Sequence, residues 1–361
     1  MSRRSDSNCT NTANAQAAFC TDLALFSSTA TLISVLLLIG LTACLPLSGS
    51  SYILDVANRC GIAIIAAIGL NILTGYTGLI SLGNAAFMAI GGFSAGFLAT
   101  KTGINTLYCI PLAGAITALL GMIIGIPSLR LKGLYLAMAT LAAHFIVEFL
   151  SVKWESVTGG VAGISIPAPS LAGLQLDNDR RLFYLIFGAV LLVVLFVVNL
   201  FRTRTGRAFI AIRDHETAAG VMGIDVFRYK LTAFGLSSFF VGVAGALTAC
   251  QAKIISPETF PFSLAIDSLA MIIIGGMGSV AGSILGALFL TLLPEMLRLA
   301  TTALSGSYPA LVGNLAPLKE LIFSMLIIIF LVFSPHGIVS WWRRLTNRIG
   351  RSSAGQNPER R

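Results

Sequence analysis

Side chains that could carry chemistry are scarce in this 361-residue sequence, which holds three histidines, six cysteines and 15 acidic residues against 56% hydrophobic positions. One pairing inside an apolar run is His144 with Glu148, four residues apart and therefore on one face of a helix. An imidazole beside a carboxylate could relay a proton or begin a metal site. No third ligand accompanies the two, which favours a local pair facing protein, and no metal is expected. Asp267 is one of the few other ionisable residues inside an apolar run. The cysteines (Cys9, Cys20, Cys44, Cys60, Cys109 and Cys250) form no Cys-x-x-Cys and suggest neither a zinc site nor a disulfide framework. ATP hydrolysis would need a Gly-x4-Gly-Lys-Ser/Thr loop, whose backbone amides and lysine cradle the phosphates. Lys101-Thr102 lacks the preceding glycine, no other lysine precedes Ser or Thr, and no His-Glu-x-x-His occurs. The chain is expected to be no enzyme and to carry no cofactor of its own.

Polar and glycine-rich stretches stand out from the apolar background. In the first, glycines 75, 78 and 83 permit close backbone approach, while Asn71, Tyr76, Ser81 and Asn84 offer hydrogen bonds where polar groups are expensive. Two readings stand side by side: a broken helix lining a substrate pathway, or a turn whose amides join neighbouring helices. Pro127–Tyr135 reads as a short turn whose Arg130 and Lys132 orient the chain. Thr158-Gly159-Gly160 opens a long loop that packs over a pathway mouth or meets a soluble partner. Between residues 205 and 225, Ala208, Ile212, Ala219 and Met222 recur at helical spacing, and Gly223 supplies a stop. That pattern predicts a short amphipathic helix over about 206–224, either a docking surface or a helix lying on lipid.

These stretches must be positioned by membrane spans. Only 11% of residues are charged, against roughly 25% in soluble domains. A crossing takes about 20 mostly apolar residues. Spans are expected near 30–48, 53–74, 81–100, 107–127, 133–152, 182–201, 231–252, 263–277, 280–298 and 319–336. The fold class is thus an all-α polytopic transmembrane bundle of about ten spans, some short or discontinuous. A polar, disordered lead (1–29) precedes the transmembrane region (30–340), and a basic tail (341–361) follows. Basic residues at 3–4, 130–132, 202–213 and 343–348 all fall on the cytoplasmic side of this topology, with both termini inside. The net charge of +9 sits at span ends and in the tail, which suits membrane lipid and not nucleic acid.

The motifs Gly69-Leu70-Asn71…Gly75-Tyr76…Gly78…Ser81-Leu82-Gly83, Leu129-Arg130-Leu131-Lys132-Gly133, Thr158-Gly159-Gly160 and Ile274-Gly275-Gly276-Met277-Gly278-Ser279 resemble those of branched-chain amino acid ABC importer permeases of the LivM type, over about residues 55–340. The stretch Gly206-Arg207…Arg213-Asp214…Glu216…Ala218-Ala219…Gly223 is similar to the segment by which such permeases dock on an ATP-hydrolysing subunit. The resemblance implies transport across a bacterial inner membrane. It also implies a second homologous permease, two ATP-binding cassette subunits that bind the ATP, and a periplasmic binding protein. It implies coupling roles for Arg207, Arg213, Asp214, Glu216, Ala218, Ala219 and Gly223. The sequence departs from the family pattern at Asn84, where His is common, at Ala162, and at Phe145 and Glu148. Those departures leave urea or a short amide open as cargo. An ion-coupled secondary transporter is the rival from another class. A lining poor in fixed charge suits a zwitterion with an apolar side chain.

Overall fold

The computed structural model describes residues 50–305, apart from 132, 172–173 and 176–177, together with 321, 324, 325 and 328. The stretches expected at 1–29, 30–48 and 341–361 lie outside the described residues, as does 319–336 but for those four positions.

The apolar runs become helices α1 (Ser51–Thr77), α2 (Asn84–Lys101), α3 (Thr106–Ser128) and α4 (Leu134–Lys153). A short α5 (Glu155–Thr158) leads into the long loop, and α6 (Asp179–Arg202) follows it. Next come α7 (Arg204–Asp214), α8 (Glu216–Val221), α9 (Val226–Ala252), α10 (Phe262–Gly275) and α11 (Val280–Ser305). Seven of the described helices are long and apolar enough to cross a membrane. The span expected at 81–100 is helix α2, which is not among the seven. Its Gly- and Ala-rich sequence lacks the apolarity of a lipid-facing span, and most of its residues are buried against α3 and α9. Helix α10 has only 14 residues, about 21 Å of rise against a core about 30 Å thick, and it counts among the seven only together with the turn before it, Pro257–Gly275. The expectation of a short segment there holds.

The core is organised around α9, which packs on α1, α2 and α3. Small residues allow this. A Cβ on Gly91 would overlap the backbone of Gly242, one on Gly245 would overlap the backbone of Met88, and one on Gly121 would overlap Ser238. Between helices in lipid, van der Waals contact of this kind replaces the hydrophobic driving force that water would supply. Asn105 caps α3 by accepting from the Leu107 N–H at 3.2 Å, and Asp225 caps α9 by accepting from Arg228 at 3.2 Å.

The ends of the bundle differ. At one end, strand β1 (Ile164–Ser165) pairs antiparallel with β4 (Ile254–Ile255), tying the long loop to the α9–α10 connection. The loop also folds back on itself as β2 (Ser170–Leu171) with β3 (Leu174–Gln175). At the other end, α7 and α8 lie beneath the ends of α1 and α9.

Candidate functional site

The first glycine-rich stretch is a helix end, a turn and a helix start. Helix α1 stops at Thr77, with Gly78 left-handed at φ 73°, and the N–H of Leu79 donates to the carbonyl of Leu73 at 3.2 Å. Glycine is needed here because other residues resist that conformation. The Ile274–Ser279 stretch builds a second, shorter turn between α10 and α11, with Gly276 at φ 114° and Gly278 at φ 78°.

Asn71 joins the two turns. Its Oδ1 accepts from the Gly278 N–H at 3.0 Å, and its Nδ2 donates to the Ser279 carbonyl at 3.0 Å. Gly75 makes the junction possible, since a Cβ there would overlap Asn71 Oδ1 and lie 2.6 Å from the Gly278 nitrogen. Tyr76 stacks on Phe201 of α6, with ring centroids 3.6 Å apart. Ser81 accepts from the Gly83 N–H at 3.3 Å, and Thr140 of α4 accepts from the Leu82 N–H at 2.9 Å. The side chains of Asn71, Tyr76 and Ser81 are therefore engaged with the protein itself, as the reading of helix-joining amides had it. Asn84 is different. It is 1% exposed, and neither its Oδ1 nor its Nδ2 has a hydrogen-bond partner. A buried amide in that state costs about 1–3 kcal/mol unless a ligand or water completes its bonding.

Thr158, Gly159 and Gly160 do not join this cluster. Thr158 donates to the Ser151 carbonyl at 2.7 Å, and Gly159 and Gly160 turn the chain at φ 71° and 61°. The loop that follows meets α2 near Gly96, against Ile164 and Ile166. Twelve residues of helix, about 18 Å, separate Gly96 from Asn84. The single set of pathway residues expected from the sequence is thus split between opposite ends of the bundle.

The segment expected as one helix over 206–224 is two. His215 is extended (φ −153°, ψ 99°) and breaks it into α7 and α8. Gly206 permits the tight turn out of α6, because a Cβ there would lie 2.6 Å from the Leu200 carbonyl. Ala208, Phe209, Ile212 and Ala219 face the bundle, as the periodicity predicts for three of them. Met222 does not. It lies past the end of α8, and Val221 and Met222 are 89% and 84% exposed. Ala219 is buried, and Glu216 is held by Lys230 of α9, Nζ to Oε1 2.8 Å. Ala219 and Glu216, expected as contact residues for a partner, brace the segment against its own chain. Arg207, Arg213, Asp214, Ala218 and Gly223 are exposed. Sequence reasoning missed Lys230, a largely buried cation that pairs with Glu216 across the chain; a lone lysine at the start of an apolar run was the available signal. Between the Gly78 turn, Leu131, Gly133, Arg213 and the Glu216–Lys230 pair lies a cavity of about 190 Å³.

His144 is buried beside Phe145 and Phe262, both its nitrogens lack hydrogen-bond partners, and Nε2 stands 3.7 Å from Glu148. Among the described residues no group of three or more potential ligands could hold a metal. One motif escaped the sequence reading. Gly92-Phe93-Ser94-Ala95-Gly96 has the spacing of a nucleophile elbow, but it lies within α2 and not on the strand-to-helix turn that exposes such a serine.

Residues 52–331 match the family described as branched-chain amino acid transport system / permease component. The chain is 39% identical over 268 residues to proteins named high-affinity branched-chain amino acid transport system permease protein LivM, from Salmonella typhimurium and Escherichia coli K12. Those matches cover 68% of this chain and 63% of each relative, so the chain spans under two thirds of their length. It is also 23% identical over 316 residues to a probable branched-chain amino acid transport permease protein LivM of Methanocaldococcus jannaschii, covering 77% of this chain and 90% of that protein. No solved structure gives a significant match. The resemblance seen in the motifs and the match over most of the apolar chain agree: this protein belongs to the family of branched-chain amino acid transport permeases.

Proposed function

We propose that this chain is the translocating subunit of an ATP-driven importer for branched-chain amino acids in a bacterial inner membrane, with both termini in the cytoplasm. Its relatives carry that transport in their names. The observation that carries the mechanism is the segment 204–225. It is braced against the bundle by Ala208, Ile212, Ala219 and the Glu216–Lys230 pair, and it presents Val221 and Met222 to its surroundings. Two adjacent large apolar residues this exposed, on a rigid mount, suit insertion into a cleft of an ATPase subunit. Energy enters there, because the sequence has no phosphate-binding loop. Two such ATPases, a second homologous permease and a periplasmic binding protein complete the transporter. Within the bundle, the unpartnered Asn84 amide is the polar group best placed to meet a substrate zwitterion, while the apolar helices accept its side chain.

The test is uptake of radiolabelled leucine into vesicles carrying the reconstituted complex with ATP on the ATPase side. Competition by isoleucine and valine supports the reading. Uptake of urea alone, unaffected by excess leucine, would replace the substrate class and keep the ATP-driven permease. Uptake that runs on a proton gradient with no ATPase subunit present would sink the importer. Val221→Ser with Met222→Ser is expected to weaken ATPase binding in pull-down by about tenfold or more, at 1–2 kcal/mol for each buried anchor. Unchanged retention would place the docking surface elsewhere.

A further inference from the structure

Arg213, at the end of α7, does not lie over open surface alone. A Cβ on Gly78 would sit 3.6 Å from Arg213 Cγ, and a Cβ on Gly278 would overlap Arg213 Nη1. The same position beside Gly278 lies 3.1 Å from the Gly75 carbonyl oxygen. The arginine thus runs from one glycine turn to the other, and its guanidinium rests where α1 and α10 both end. The last carbonyls of a helix have no donor within it and carry the negative end of its dipole. Among the described residues no carboxylate pairs with Arg213. The guanidinium lies beside the ends of two helices, and glycine at 78 and 278 leaves the room in which it sits.

We propose that Arg213 is a latch: it transmits motion of the 204–225 segment to both glycine turns at once. This rests on the importer reading for its consequence in transport, but not for its geometry. The turns are already joined to each other through Asn71. Seating Arg213 holds both helix ends against the segment. Displacing the segment withdraws a positive charge from two dipoles together and frees the joined turns as one unit. Arg213 is therefore a positioning residue, exposed on one side and seated against the two glycine turns on the other.

Two measurements test this. Hydrogen–deuterium exchange on the purified permease reads the latch without any transport assay. Arg213→Gln is expected to speed exchange about tenfold at both 75–79 and 275–279, and Arg213→Lys, which keeps the charge, to restore part of the protection. Acceleration at one turn only, or at neither, overturns the proposal. In the reconstituted complex, Arg213→Gln is expected to cut leucine uptake about tenfold while ATP hydrolysis stays within about twofold, so that the two uncouple. Gly278→Ala, which denies the guanidinium its seat, should give the same uncoupling, and the double variant should be no worse than either single change. Loss of the ATPase subunit from Arg213→Gln on size exclusion, or a proportional fall in uptake and hydrolysis, overturns the latch. A wild-type complex that moves no leucine defeats the importer reading alone, and the exchange result then stands by itself.

Discussion

The two glycine turns share a spacing and divide the labour. Asn71, Gly75 and Gly78 in the first correspond in interval to Met271, Gly275 and Gly278 in the second. The first turn sends a side-chain amide across to the second, and the second answers with its backbone N–H and carbonyl. The first runs six residues before α2 begins and carries Ser81, with Asn84 opening α2; the second runs four, from Gly276 to Ser279. Met271, in the place of Asn71, brings its carbonyl against Gly286, where a Cβ would overlap it. One turn is thus specialised for polar contact and the other for close packing. The repeated interval does not fix the helix end, which falls at Gly78 in the first turn and at Gly276 in the second; the residue four positions before the first glycine differs in what it contributes.

That comparison can be broken most severely at Gly75. Gly75→Leu puts a side chain where Asn71 Oδ1 and the Gly278 nitrogen lie, and uptake should fall below detection; transport at wild-type rate would mean the turns need not touch. Asn71→Leu comes next. It strands the Gly278 N–H and the Ser279 carbonyl, each at a cost of about 1–3 kcal/mol, so the thermal midpoint of the purified permease should drop clearly, and an unchanged midpoint would refute the bridge. Asn84→Ala has a smaller effect and a different one. It removes an amide the protein does not satisfy, so stability should hold, while KM for leucine rises about fivefold for one lost hydrogen bond of about 1 kcal/mol. Lost stability with unaltered KM would make Asn84 a packing residue. Met277→Ala is the smallest change. Met277 is half exposed in the second turn, and stability should stay within about 0.5 kcal/mol; a large shift in midpoint would assign that turn a partner.

Helix positions were legible from apolar runs, and eight of the expected spans appear as helices, six of them within about three residues of their predicted limits, while α9 begins and α11 ends farther out. The first turn was legible as glycines and amides, but not which amides the protein itself would consume. Asn71 and Asn84 look alike in sequence; what separates them is a chain segment 207 residues away, present for one and absent for the other. Helical periodicity likewise placed Ala208, Ile212 and Ala219 correctly and failed at Met222. The spacing rule assumes continuing helix, and Met222 lies past the end of α8. Glycine content marked Thr158–Gly160 and the first turn alike, and the structure places the two at opposite ends of the bundle.

The small-residue seam of α9 has a consequence for the making of the protein. Helices α1, α2 and α3 leave the ribosome well before residues 226–252, yet α9 is the element on which all three close. Until it arrives, Gly91, Gly121 and their neighbours meet lipid chains too bulky to fill notches shaped for another backbone. Early spans are therefore inserted without being assembled, and a chain truncated before α9 is left with an open seam and no partner to close it. Quality control that surveys the bilayer for unfilled helix grooves would read this seam directly: open before residues 226–252 are in place, and filled by them.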